Sequence, residues 1–285
     1  MKPIGRPARP ATAGLDLLEG RWIILAALLA ISVVAWVVVV RQAAGMAGTG
    51  TPMLDAGQAS MTGAVMTPAM PSRLTMGMAA PVFLAAWSAM MAAMMLPSAA
   101  PMVLMFSKVQ AGRRSRGQQA VSTWVFVAAY LLVWTLFGVV AFDVATMADR
   151  LAGASAAPAS SVARIGGLIL ILAGAYQLSP LKNACLTQCR SPAQFVLTAW
   201  KPGIGGAFWM GLEHGLYCLG CCWLLFVALF PLGVMNVAAM VVVTALVFAE
   251  KALPLGATFG RAAAWAIIVY GVAVVNFPAM LPVSM

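Results

Sequence analysis

Within the run Glu213-His214-Gly-Leu-Tyr-Cys218-Leu-Gly-Cys221-Cys222 lie the only histidine and three of the five cysteines of the chain. Imidazole and thiolate together suit zinc, copper(I) and other borderline or soft metals. The surrounding segment is apolar and long enough to cross a bilayer, where an ionisable group is costly to keep without a role. On a helix, His214, Cys218 and Cys221 share one stripe, Cys222 flanks it one turn above Cys218, and Glu213 points about 100° away from His214. The cluster begins about 12–15 Å into the span. One helix rarely surrounds a metal, so further ligands are expected from another span. Two other readings stay open. Each cysteine can be a small buried hydrophobe, and Cys218-Leu-Gly-Cys221 is a C-x-x-C pair of the kind that exchanges with disulfides.

Twenty methionines supply a second soft donor type. Met90, Met91, Met94 and Met95 form two adjacent i,i+4 pairs just before Pro97 and Pro101, and thioethers favour copper(I). Their span runs opposite to that of His214, which brings them near mid-bilayer, so the two clusters are expected to face each other. Pro97 frees the Ala93 carbonyl and Pro101 the Pro97 carbonyl, an arrangement tolerated where the oxygen meets protein or lines a cavity. Filling irregular core gaps is the alternative role for such a stripe. Cys185 and Cys189, spaced i,i+4 beside Lys182 and Arg190, read as a secondary metal or redox pair at the inner face, or as two reduced structural thiols. Met46, Met53, Met61, Met66, Met70, Met76 and Met78 stud the segment 42–79, as a soft-metal collecting arm or as compositional drift.

The elements that must position these residues are transmembrane helices. The chain is 63% hydrophobic and 8% charged, against about 25% charged in soluble domains, and its mean hydropathy is +0.96. These values predict an all-α polytopic transmembrane helical bundle; a membrane barrel would show short alternating segments instead. Seven spans are predicted: Trp22–Val40, Pro81–Phe106, Val121–Phe142, Val162–Leu178, Gly205–Phe230, Val234–Leu253 and Gly260–Phe277. The first has a longer apolar core than a signal peptide and reads as an uncleaved span. Thirteen of the 17 Lys and Arg residues fall on one side of this arrangement, which puts the N-terminus inside and the C-terminus outside. The net charge of +10 therefore reflects orientation and implies no nucleic acid. The expected organisation is a cytoplasmic tail over 1–21, a first transmembrane helix over 22–41, a Met-rich outer loop over 42–79, and a six-helix metal-binding core over 80–285. The segment 179–204 is expected to be an inner loop. Glu250 and Lys251 are expected to snorkel to water, Asp143 and Asp149 to be solvated, and Asn236 and Asn276 to bond between helices. No internal repeat, nucleotide loop, hydrolase triad or paired-carboxylate site is present.

Three stretches carry a family resemblance: Trp87-x-x-Met90-Met91-Ala-Ala-Met94-Met95-Leu-Pro97; Tyr176-Gln-Leu-Ser-Pro-Leu-Lys182-x-x-Cys185-Leu-x-x-Cys189-Arg190-Ser-Pro; and Gly211-Leu-x-His214-Gly-x-Tyr-Cys218-Leu-Gly-Cys221-Cys222-Trp, followed by Met235-Asn236 and Glu250-Lys251. Over about residues 80–255 the chain resembles a bacterial family of integral membrane proteins of unknown function described as predicted metal-binding proteins. The N-terminal 80 residues lie outside it, and Glu213 stands where such sequences often look basic. Residues and resemblance together point to an inner-membrane protein that binds a soft transition metal, copper favoured over zinc, through His214, Cys218, Cys221, Cys222, Met90, Met91, Met94 and Met95. Its role would be transport, delivery or cofactor assembly. Its expected partners are the lipid bilayer and a metal donor or acceptor protein or another membrane subunit. A thiol–disulfide oxidoreductase using Cys218 and Cys221, a non-catalytic subunit and a metal-dependent membrane enzyme are the alternatives.

Overall fold

The computed structural model describes residues 12–48, 74, 75, 78–155 and 159–281, and all regular structure among them is helical. The long helices are α1 (Thr12–Gly48), α2 (Ala80–Arg114), α3 (Thr123–Ser155), α4 (Ala159–Gln177), α7 (Gly203–Val227) and α10 (Gly256–Asn276), and the shorter ones are α5 (Pro180–Arg190), α6 (Pro192–Thr198), α8 (Leu229–Leu232) and α9 (Val237–Ala252). Every predicted span is helical. Six helices are long and apolar enough to cross a membrane, with α8 extending α7. The predicted span Val234–Leu253 forms α9, whose 16 residues reach only about 24 Å. Most of the Met-rich segment, and all but the last part of the N-terminal tail, lie outside the described residues.

Close packing fixes how the helices meet. α3 lies between α2 and α7, and α4 pairs with α10. On α7, a Cβ at Gly211 would strike the Phe126 carbonyl of α3, and one at Gly215 would come within 2.8 Å of Val133. Two glycines one turn apart thus let α7 approach the α3 backbone, as small residues do in membrane helix pairs. α1 packs on α2, and its Ser32 hydroxyl donates to the Ala93 carbonyl at 2.8 Å. That is the carbonyl Pro97 releases, so the free acceptor created by the proline is met by protein, as expected for a broken helix at membrane depth.

The segment 179–204 is not a loop. Ser179 caps α5 by accepting from the Lys182 amide, with Pro180 in the first turn, a favoured helix start. α5 lies against α7 and touches α9. Two polar expectations also change. Asp149 accepts hydrogen bonds from the backbone amides of Leu74 and Thr75 rather than standing free in water. Asn276 bonds the Val272 carbonyl of its own helix, whereas Asn236 caps α9 through the Ala239 amide and donates to the Leu232 carbonyl at the end of α8, a bond between helices as expected.

Candidate metal centre

α7 buries one stripe, and the stripe carries His214, Cys218, Cys221 and Cys222. Its close approach to α3, permitted by Gly211 and Gly215, brings Tyr130 against two of these residues. The Tyr130 hydroxyl lies 3.0 Å from the Cys218 sulfur, and its ring stacks on His214 at 5.6 Å. Phe126 and Phe195 complete an aromatic enclosure around the imidazole. His214 is buried, and its Nδ1 has no hydrogen-bond partner. A buried polar atom left unpaired costs roughly 1–3 kcal/mol, which makes this nitrogen an open position for a ligand.

The second half of the cluster comes from α5. Cys189 reaches the Cys218 and Cys221 thiols. Cys185, one turn earlier, packs on the α7 backbone so closely that a Cβ on Gly220 would lie 2.8 Å from its sulfur. Of the two cysteines expected to form a separate inner pair, Cys189 meets the cysteines of α7 and Cys185 rests against Gly220. Cys221 donates to the Cys218 carbonyl at 3.1 Å, and its sulfur lies 3.1 Å from that of Cys222. All five cysteines are free thiols. Cys218, Cys221 and Cys222 are buried, whereas Cys185 and Cys189 are partly exposed. The Cys218 sulfur beside it pushes the Cys189 thiol above its usual range, and burial raises that of Cys185. Among the described residues, no three His, Cys, Asp or Glu side chains are arranged to hold a metal ion as they stand.

Two charged residues that the sequence reading sent to solvent belong to this region. Lys251 of α9 donates to the Cys218 sulfur at 3.0 Å; the thiolate is the form of cysteine that ligates metals. Glu250 points the other way. It pairs with Lys182 of α5 at 2.6 Å, both side chains being 2% exposed, and also accepts from Gln177 at 2.9 Å. Gly260 of α10 makes room, since a Cβ there would stand 2.6 Å from the Glu250 carboxylate. Adjacent residues on α9 thus serve two different partners, as helix geometry requires. The available signal was that Lys182, Glu250 and Lys251 all fall among the residues that carry the family resemblance.

Met90, Met91, Met94 and Met95 are all buried. Aromatic contacts along α3 bracket them. At one end Phe106 of α2 stacks on Phe126, which stacks on His214. At the other, Trp87 of α2 donates to the Trp134 carbonyl, and Trp134 packs on Phe226 of α7. The four methionines lie between these two contacts on α2, as Cys218, Cys221 and Cys222 lie between them on α7. α2 packs on α3, α1 and α9 rather than along α7, so the two stripes share a core without lying on adjoining helices.

Comparison with curated proteins and with solved structures finds no match. Residues 84–274, the stretch that folds into this core and contains every residue of the cluster, match the family model described as PpoB2: Copper chaperone, and the chain belongs to that family.

Proposed function

We propose that the protein is a bacterial inner-membrane copper chaperone that receives copper(I) as cargo and hands it on between sulfur ligands in the bundle. The observation that carries this reading is the meeting of Cys189, from α5, with Cys218 and Cys221 of α7. A soft ion prefers thiolate and thioether ligands. Cys185 and Cys189 form the exchange pair at the accessible face, Cys218, Cys221 and Cys222 the buried set, and His214 the nitrogen ligand below them. Met90, Met91, Met94 and Met95, buried in the same core, continue the path. The cytoplasmic side is the basic end. Arg113 lies over the Trp200 ring and Arg190 bonds the Leu253 carbonyl there, in keeping with the charge bias.

Anaerobic titration of the detergent-purified protein with copper(I), against a colour-forming copper(I) chelator, tests the reading. The parent is expected to take up at least one copper per chain, and Cys218→Ser and Cys189→Ser each to weaken uptake about tenfold or more. No uptake by the parent, or parent-like uptake by Cys218→Ser, defeats the proposal. Alkylation before and after mild oxidation separates the redox alternative, which requires a trappable Cys218–Cys221 disulfide.

A further inference from the structure

A groove remote from the cysteines has the form of a lipid site. α1 and α9 pack on α2 from either side and leave a gap of about 590 Å³ between them. Its floor is one face of α2, from Pro97 through Pro101, Leu104 and Met105 to Lys108. Leu25 and Leu29 of α1 form one wall, Phe248 and Ala252 of α9 the other, and Pro192 of α6 closes the basic end. Leu29 and Phe248 are 45% and 43% exposed, so the lining is apolar surface open to the outside. A smaller hollow shares Pro97 and Phe248 and continues the seam toward Trp36.

Charge sits at one end only. Arg21 and Lys108 stand at the mouth, both exposed, and neither joins the single ion pair found among the described residues. Arg190 adds a third positive charge, bonded to the Leu253 carbonyl one residue past Ala252. From Lys108 to Pro97 is about 16 Å along α2, and from Arg21 to Leu29 about 12 Å along α1, at the helical rise. Half of a bilayer core is about 15 Å. The groove therefore spans one leaflet, with its cations at headgroup depth. Its volume falls in the range of small-molecule sites, about 300–1,000 Å³.

We propose that this groove holds one anionic phospholipid, its acyl chain along the kinked face of α2 and its phosphate between Arg21 and Lys108. Basic pockets between transmembrane helices bind anionic headgroups in this way.

Native mass spectrometry of the full-length protein, delipidated and then given equal phosphatidylglycerol and phosphatidylcholine, reads the preference. The parent is expected to retain one phosphatidylglycerol per chain in preference to phosphatidylcholine. Arg21→Gln with Lys108→Gln, both on exposed side chains, should reduce that preference about 30-fold, from about fivefold per cation. Ala252→Trp, which fills the mouth, should lower retention of both lipids. Equal retention of the two lipids by the parent, or an undiminished preference in the double variant, overturns the site. A photoreactive benzophenone side chain at Leu29 is expected to yield a lipid adduct; an adduct to a second polypeptide also overturns it.

Discussion

His214 and Cys189 show how differently single residues declare themselves. His214 is conspicuous in the sequence as the only histidine, and it lies in a ring-lined pocket with an unpaired nitrogen. His214→Phe keeps the stacking and removes the orphan polar atom. It should leave thermal stability in detergent unchanged or raised by about 1 kcal/mol, while copper(I) affinity falls; affinity equal to the parent would remove His214 from the ligand set. Cys189 is 29 residues from Cys218 in the chain, and no spacing rule connects them. The ion pair of Lys182 and Glu250 is similar, with 68 residues between the partners. Breaking a buried pair leaves one charge uncompensated, so Lys182→Met should destabilise the protein by about 3–5 kcal/mol. The double variant Lys182→Met with Glu250→Leu should recover most of that loss. Denaturation of the three proteins in detergent measures both outcomes, and copper uptake should fall with Lys182→Met because α5 carries Cys189.

At the scale of elements, hydropathy located the long helices because each is an uninterrupted apolar run. It also located the break in α2, since a proline removes a defined hydrogen bond. The partner of the freed carbonyl was not legible: nothing in the sequence links Ser32 to Ala93. Ser32→Ala leaves that buried acceptor unpaired and should cost about 1–3 kcal/mol, read as a lower melting temperature in detergent, with little change at the cysteines. α5 escaped recognition as a packed helix because it is short and polar enough to resemble a loop. Its docking depends on the bareness of Gly220, against which Cys185 rests. Gly220→Val should push α5 away and increase labelling of Cys185 and Cys189 by a maleimide, while leaving the helical circular dichroism unchanged.

For the whole molecule, the glycine contacts make α4 and α10 antiparallel, with Gly167 against Gly271 and Gly174 against Ala264. This is the alternation that seven spans demand. Arg21, Lys108, Arg113 and Arg190 gather at one end, as a charge bias of this kind predicts. A phosphatase reporter joined after Met285 is expected to be active, and a fluorescent-protein reporter at the same place dark. The opposite pair of results would invert the bundle and move the exchange pair to the outer face. The lipid groove belongs to this scale as well. Its lining residues come from four separate helices.

By itself the sequence determined the class, six of the seven predicted spans, the bias of charge and the soft-donor residue types of His214, the cysteines and the methionines. These follow from local quantities: the hydropathy of a run, the periodicity of a helix, the softness of a ligand atom. Only the tertiary structure decided that Cys189 joins the buried cysteines, that Lys251 faces Cys218 and that Glu250 is held by Lys182. Each of these depends on the rotation and offset of one helix against another, which close contacts at a few glycines fix and which no single helix encodes.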